Sequence, residues 1–185
     1  MDVLSFDIGM RNLAHAKVRF DASKAVDDIQ AIGNVDILQE AGCTARNCRS
    51  LRVGRLVGMA VQHVKGLYPE GEPLPDAVVV ERQRGHKEAA VAAGILGYFA
   101  GAGVRHLDEF SAMSKFGADK PSLPRGLTKS QRHTLLKKAA IERARVMLPE
   151  GLVEDFNAWP QYRQEHPADA LLQAVAWRGS TVAPR

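Results

Sequence analysis

Three acids and one histidine stand where they could do chemistry. Asp7 lies near the end of an apolar stretch, Val3-Leu4-Ser5-Phe6-Asp7-Ile8, just before Gly9. Glu81 closes the run Ala77-Val78-Val79-Val80, and Asp169 opens the apolar stretch 170–177 with Glu165 and His166 just ahead of it. An ionised carboxylate among apolar residues is costly unless a cation or hydrogen-bond donors meet it. Each acid is therefore either satisfied locally or holding a metal. Asp7 could be a turn residue served by backbone N–H groups. His166 and Asp169 are three apart and can share a helix face, where they could simply cap the helix. If the acids meet, their oxygens suit Mg²⁺.

The elements that would position these residues can be read from periodicity. Leu4, Phe6 and Ile8 alternate with Val3, Ser5 and Asp7, which predicts a buried strand with Asp7 on one face. A hairpin at residues 9–11 leads to a second strand over 12–20, and a third is expected over 29–38 after a polar turn at 21–28. Helical spacing then covers 44–68, with Val53, Val57, Ala60, Val61, Val64 and Leu67 as the apolar face. Gly54 and Gly58 on this helix would admit a close neighbour. The β-branched run at 76–83 reads as a central parallel strand, followed by an Ala-rich helix over 86–101 and a short strand over 104–110. Thr128 and Gln131 form a capping box for a helix running to 148, with Leu127 before it. Residues 152–164 are ambiguous between helical turn and loop. Pro167 suits the first position of a last helix, with His166 as its cap.

At 185 residues the chain can bury one core of ordinary size. No apolar run approaches the roughly 20 residues of a membrane helix, and no signal or transit peptide is visible at the start, so an intracellular setting is expected. Cys43 and Cys48 form no Cys-x-x-Cys pair, so reduced thiols are expected rather than zinc. The net charge of +4 is unevenly spread: residues 105–145 hold ten Lys and Arg against four Asp and Glu, so the rest of the chain is net acidic. Such a segment favours a polyanionic partner, most often nucleic acid, and on charge alone reads equally well as a solvated helix face.

This βββαβαβα order is that of the RNase H-like fold, an α/β architecture with a five-stranded mixed sheet flanked by helices. That fold sets an Asp of the first strand beside the end of the fourth and brings the last helix against both. Three weak signals would then converge. Phosphodiester cleavage needs a positioned water and a neutralised transition state, which two divalent ions about 4 Å apart supply.

At these positions the chain resembles the RuvC-type Holliday junction resolvases. The segments Phe6-Asp7-Ile8-Gly9-Met10-Arg11-Asn12, Val80-Glu81-Arg82-Gln83-Arg84 and Ala168-Asp169-Ala170-Leu171-Leu172 look like the family's signatures, in the form of its poxvirus and fungal mitochondrial branch. The resemblance implies a single nuclease domain over 1–185, with a basic loop-helix segment at about 111–148. It implies Asp7, Glu81 and Asp169 as ligands of two Mg²⁺ or Mn²⁺ ions, with Glu165 or His166 as the fourth ligand and His166 counted with the catalytic set. His166 stands where the commonest pattern has a second Asp. Lys115, Lys120, Arg125, Arg132, Lys137 and Lys138 are expected on backbone phosphates, and Asn12, Arg82, Gln83 and Arg84 near the cut strand. The implied partners are four-way DNA and a second copy of the chain, because two symmetric nicks suit a two-fold dimer. Three alternatives compete: another RNase H-like nuclease acting on hybrids, branched or flap DNA; a junction binder without catalysis; and an actin-like ATPase, for which the chain is too short.

Overall fold

A strand of almost wholly buried residues, β1 (Asp2–Ile8), is the middle of the sheet, and only Asp2 at its start is partly exposed. The computed structural model describes residues 1–9, 11–40, 52–69, 71–83, 85–111, 114–116 and 120–180. β2 (Leu13–Phe20) and β3 (Val26–Val35) continue from β1 as an antiparallel meander. On the other side, β4 (Ala77–Glu81) and β5 (His106–Phe110) run parallel to β1, giving the order β3-β2-β1-β4-β5. Gly9 and Asn12 exchange both backbone hydrogen bonds across the first hairpin, at 3.0 and 3.2 Å.

Helices cover both faces. One face carries α1 (Ile37–Glu40), α2 (Val53–Gly66) and α3 (His86–Gly101). There Leu4, Phe6 and Ile8 pack with Val78 and Val80 against Leu56, Ala60, Val64, Ile95 and Phe99. The other face carries α4 (Lys129–Met147), α5 (Glu150–Ala158) and α6 (Gln161–Ser180). There Val3, Val18, Phe20 and Val79 meet Ile141, Phe156, Leu171 and Trp177. The alternation expected for β1 is therefore the division between two cores. Among the described residues no helix is long and apolar enough to cross a membrane.

Several boundaries differ from expectation. β3 starts at Val26 because the turn before it is tight: Asp21 Oδ1 accepts from the Ala25 N–H and the Ser23 hydroxyl, and Lys24 takes a left-handed φ of 71°. It ends at Val35 because Asp36 begins a helical turn, its Oδ1 accepting from the Gln39 N–H at 2.9 Å. The capping box of Thr128 and Gln131 is present with both bonds formed. The close helix contact falls at Gly94, where a Cβ would lie 2.4 Å from Val57 Cγ1, whereas Gly54 and Gly58 face open space. The first part of the helix expected over 44–68, with Cys43 and Cys48 before and in it, lies in residues 41–51, outside the described residues.

The main correction concerns α6. It begins at Gln161, so Pro167 is inside the helix and neither starts it nor follows a cap at His166. Residues 161–166 already contribute a turn and a half of helix, which turns the His166 side chain toward the sheet.

Candidate active site

Asp7 points to the α6 side of the sheet and is only 6% exposed. The parallel register pairs Phe6 with Val80. Its next step puts Asp7 beside Glu81, on the same face by strand parity, and the two carboxyl groups share a hydrogen bond. From α6, His166 Nδ1 lies 2.7 Å from Asp7 Oδ2. Asp169, one helical turn on, is close enough to Asp7, Glu81 and His166 to be coupled to them electrostatically. Its Oδ2 is 2.5 Å from Lys115 Nζ.

These charges settle one another. Burial pushes the Glu81 carboxyl up to about 9, reinforced by the hydrogen bond to Asp7 and by the charges of Asp7 and Asp169. Glu81 thus keeps its proton at neutral pH and lends it to Asp7. Burial alone would raise Asp7, but hydrogen bonds from His166 and Glu81 outweigh it and hold Asp7 below the ordinary value. Burial works against a charged His166, yet the hydrogen bond to Asp7 and the charges of Asp7 and Asp169 raise it. Burial raises Asp169 despite the opposing Lys115 ammonium. Around that shared proton, the Asp7 carboxylate faces the His166 ring and the Asp169 carboxyl faces the Lys115 ammonium.

Among the described residues no group of three or more His, Cys, Asp or Glu side chains is arranged to hold a metal ion. The donors are instead turned toward a proton and two cationic side chains. The cluster nevertheless fits a divalent cation chemically. Three carboxyls and an imidazole supply oxygen and nitrogen donors. Among the described residues Asp169 Oδ1 is buried with no hydrogen-bond partner, an acceptor still owed a positive group.

The remaining residues expected at the site divide clearly. Glu165 does not join the cluster but pairs with Lys137 of α4. Lys115 and Lys137, expected on phosphates, are thus both held by acids of this region, whereas Lys120, Arg125, Arg132 and Lys138 are exposed. Arg132 also donates to the Leu127 carbonyl at 3.3 Å. Arg82 is exposed and 3.8 Å from Glu109, Gln83 is half-buried, and Arg84 lies outside the described residues. Asn12 closes the hairpin and accepts from Asn34 Nδ2 at 3.2 Å.

Sequence reasoning missed Gln173. Buried on α6 four residues after Asp169, its Nε2 reaches Ser5 Oγ at 3.1 Å, the Phe6 carbonyl at 3.2 Å and the Val79 carbonyl at 3.4 Å. It ties α6 across β1 and β4 directly beneath the acids. The signal was a lone amide in the apolar run 170–177, on the same helix face as Asp169.

No protein-family model matches the chain, and no curated protein matches it. Solved structures do. The fowlpox virus resolvase, in a crystal structure with its substrate Holliday junction DNA, aligns over 97% of this chain and 98% of its own, with TM-score 0.61 and 17% identity. The yeast mitochondrial Holliday junction resolvase aligns over 95% and 78%, with TM-score 0.62 and 13% identity. Thermus thermophilus RuvC aligns over 95% and 92%, with TM-score 0.55 and 19% identity. The fold expected from the sequence is borne out: the chain has the five-stranded mixed sheet and flanking helices of RuvC and its RNase H-like relatives.

Proposed function

We propose that this chain is a divalent-metal-dependent endonuclease that resolves four-way DNA junctions by paired symmetric nicks, working as a homodimer. One observation carries the reading. Asp7, Glu81 and Asp169 arrive from three separate elements at one buried, self-neutralised cluster, in a fold shared with proteins solved as Holliday junction resolvases. A binding protein without chemistry has no use for acids that cost so much to bury.

The ions would be held by Asp7, Glu81, Asp169 and His166, and when bound they supply the activation of water and the charge neutralisation that phosphodiester hydrolysis needs. Loading requires Glu81 to give up its shared proton and Lys115 to release Asp169, so binding is accompanied by proton release. With His166 Nδ1 engaged by Asp7, Nε2 would give up any proton it carries and supply the lone pair for a cation. The pairing of Glu165 with Lys137 favours His166 as the fourth ligand. Lys120, Arg125, Arg132 and Lys138 lie exposed in the basic loop-helix segment at about 111–148 and would grip backbone phosphates without reading sequence. Lys115, once released, would be a further cation at the scissile phosphate. The whole of 1–185 would act as one nuclease domain.

The test is cleavage of a synthetic mobile four-way junction with Mg²⁺ or Mn²⁺, by the unaltered chain and by Asp7→Asn, alongside an RNA·DNA hybrid of equal length. Paired nicks in the junction that disappear in Asp7→Asn support the proposal. Tight binding of an uncut junction, or preferential cleavage of the hybrid, refutes it.

A further inference from the structure

A single row of residues crosses four strands on the face that carries the acids. Asp7 of β1 is paired with Ala14 of β2, and Ala14 with Asn34 of β3. Glu81 extends the row on the β4 side. The small Ala14 leaves space above the sheet between Asp7 and Asn34, and the N-terminal part of α6 passes over it, with Arg163 above Asn34 and His166 above Asp7.

The contact at Asn34 exists because of Pro167. An ordinary residue at 167 would donate its N–H to the carbonyl four residues earlier, which is that of Arg163; proline has no N–H to give. Asn34 Nδ2 takes up the orphaned carbonyl at 3.3 Å and spends its second hydrogen on Asn12 Oδ1 at 3.2 Å. Both amide hydrogens are thus used, while Asn34 Oδ1 is left buried and without a partner among the described residues. Reversing the amide would set its oxygen against two acceptors. An unpartnered buried oxygen is costly, so the donor side is the one the fold retains Asn34 for.

We propose that Asn34 is a positioning residue of the site: held between Asn12 and the carbonyl that Pro167 leaves free, it sets the start of α6 so that His166 meets Asp7. Asn12 belongs to the hairpin that ends β1, so the latch fixes both partners of that contact at once. Its bearing on metal binding rests on the proposed function; its bearing on His166 does not.

The test separates the two. In EDTA, unfolding equilibria are measured in urea for the unaltered chain, Asn34→Leu, His166→Ala and the double variant. If Asn34 acts through His166, the double variant is more stable than independent effects allow, its unfolding constant differing from their product by threefold or more. Independent effects overturn the inference, whatever the chain does to DNA. On the folded proteins, Mn²⁺ binding is followed by electron paramagnetic resonance. Asn34→Leu is expected to bind about tenfold more weakly, the usual scale for an outer partner of a ligand. Pro167→Ala restores the competing N–H, and is expected to keep or raise thermal stability while also weakening Mn²⁺. Mn²⁺ binding unchanged in both variants overturns the inference. Mn²⁺ binding that is absent from the unaltered chain, or indifferent to Asp7→Asn, counts against the proposed function and leaves the coupling in EDTA to decide the role of Asn34.

Discussion

Metal-free, the protein should lose stability as pH rises above neutral, in contrast to the many proteins whose carboxylates sit paired and ionised. Glu81 keeps a proton up to about 9 in the folded chain but loses it near 4.5 once unfolded. Between these values the folded state holds the extra proton, so stability is full below the lower value and falls as pH climbs through the upper one. His166, raised above 6.5 by Asp7, acts with the same sign. The buried His15, depressed to about 4, acts with the opposite sign but only below 6.5, as does the depressed His63, so the alkaline window belongs to the acid cluster. One proton is worth about 1.4 kcal/mol per pH unit while only the folded chain holds it, and because solvent reaching a half-buried carboxyl brings its release to lower pH, roughly 1–2 kcal/mol is expected to be lost from pH 7 to 9. Urea titrations in EDTA at pH 6, 7, 8 and 9, followed by circular dichroism, measure it directly. Glu81→Gln, which imitates the protonated carboxyl, should remove most of the slope. Added Mn²⁺ should flatten or reverse it, because the ion displaces the same proton. A profile in EDTA that is level or rises across this window, or a slope that survives in Glu81→Gln, refutes the shared-proton account.

Other outcomes follow from the same geometry. Mn²⁺ should support cleavage at least as well as Mg²⁺, and His166→Asp should keep activity in single-turnover assays, whereas a His166→Ala chain nicking at the unaltered rate with either metal would remove His166 from the ligand set. Replacing Lys120 and Lys138 together by Ala should weaken junction binding about equally across sequences and lower the magnitude of its salt slope by about two, as read by fluorescence anisotropy from low to moderate salt. Gly33→Ala should destabilise the fold by roughly 1–3 kcal/mol, because its Cβ would lie 2.3 Å from Cε1 of the buried His15 ring; thermal unfolding tests it.

Much of this architecture is legible in one chain. The alternation in β1 and the β-branched run of β4 are burial patterns, and burial is what fixed the two cores and the face to which Asp7 and Glu81 point. The capping box at Thr128 is local chemistry and formed as written. What could not be read was decided by partners distant in sequence. Pro167 looks like a helix start, since the substitute for its missing hydrogen bond is Asn34, well over a hundred residues away. Lys115 and Lys137 look like phosphate contacts because composition does not say which acids they will meet. Gln173 has meaning only once its donors are seen between two parallel strands. The helix contact at Gly94 depends on which of several glycines faces Val57.

The parity of β1 has a further consequence. Shifting that strand by one residue against its neighbours would exchange its faces, thrusting Asp7 into the apolar layer with Phe99 and Ile95 and turning Phe6 toward His166 and Lys115. The carboxylate is therefore also a registration mark, telling the folding chain which way round the central strand must lie. Asp7→Asn keeps that mark while removing the charge; Asp7→Val erases it, and a chain so altered loses that guide to alignment as it folds.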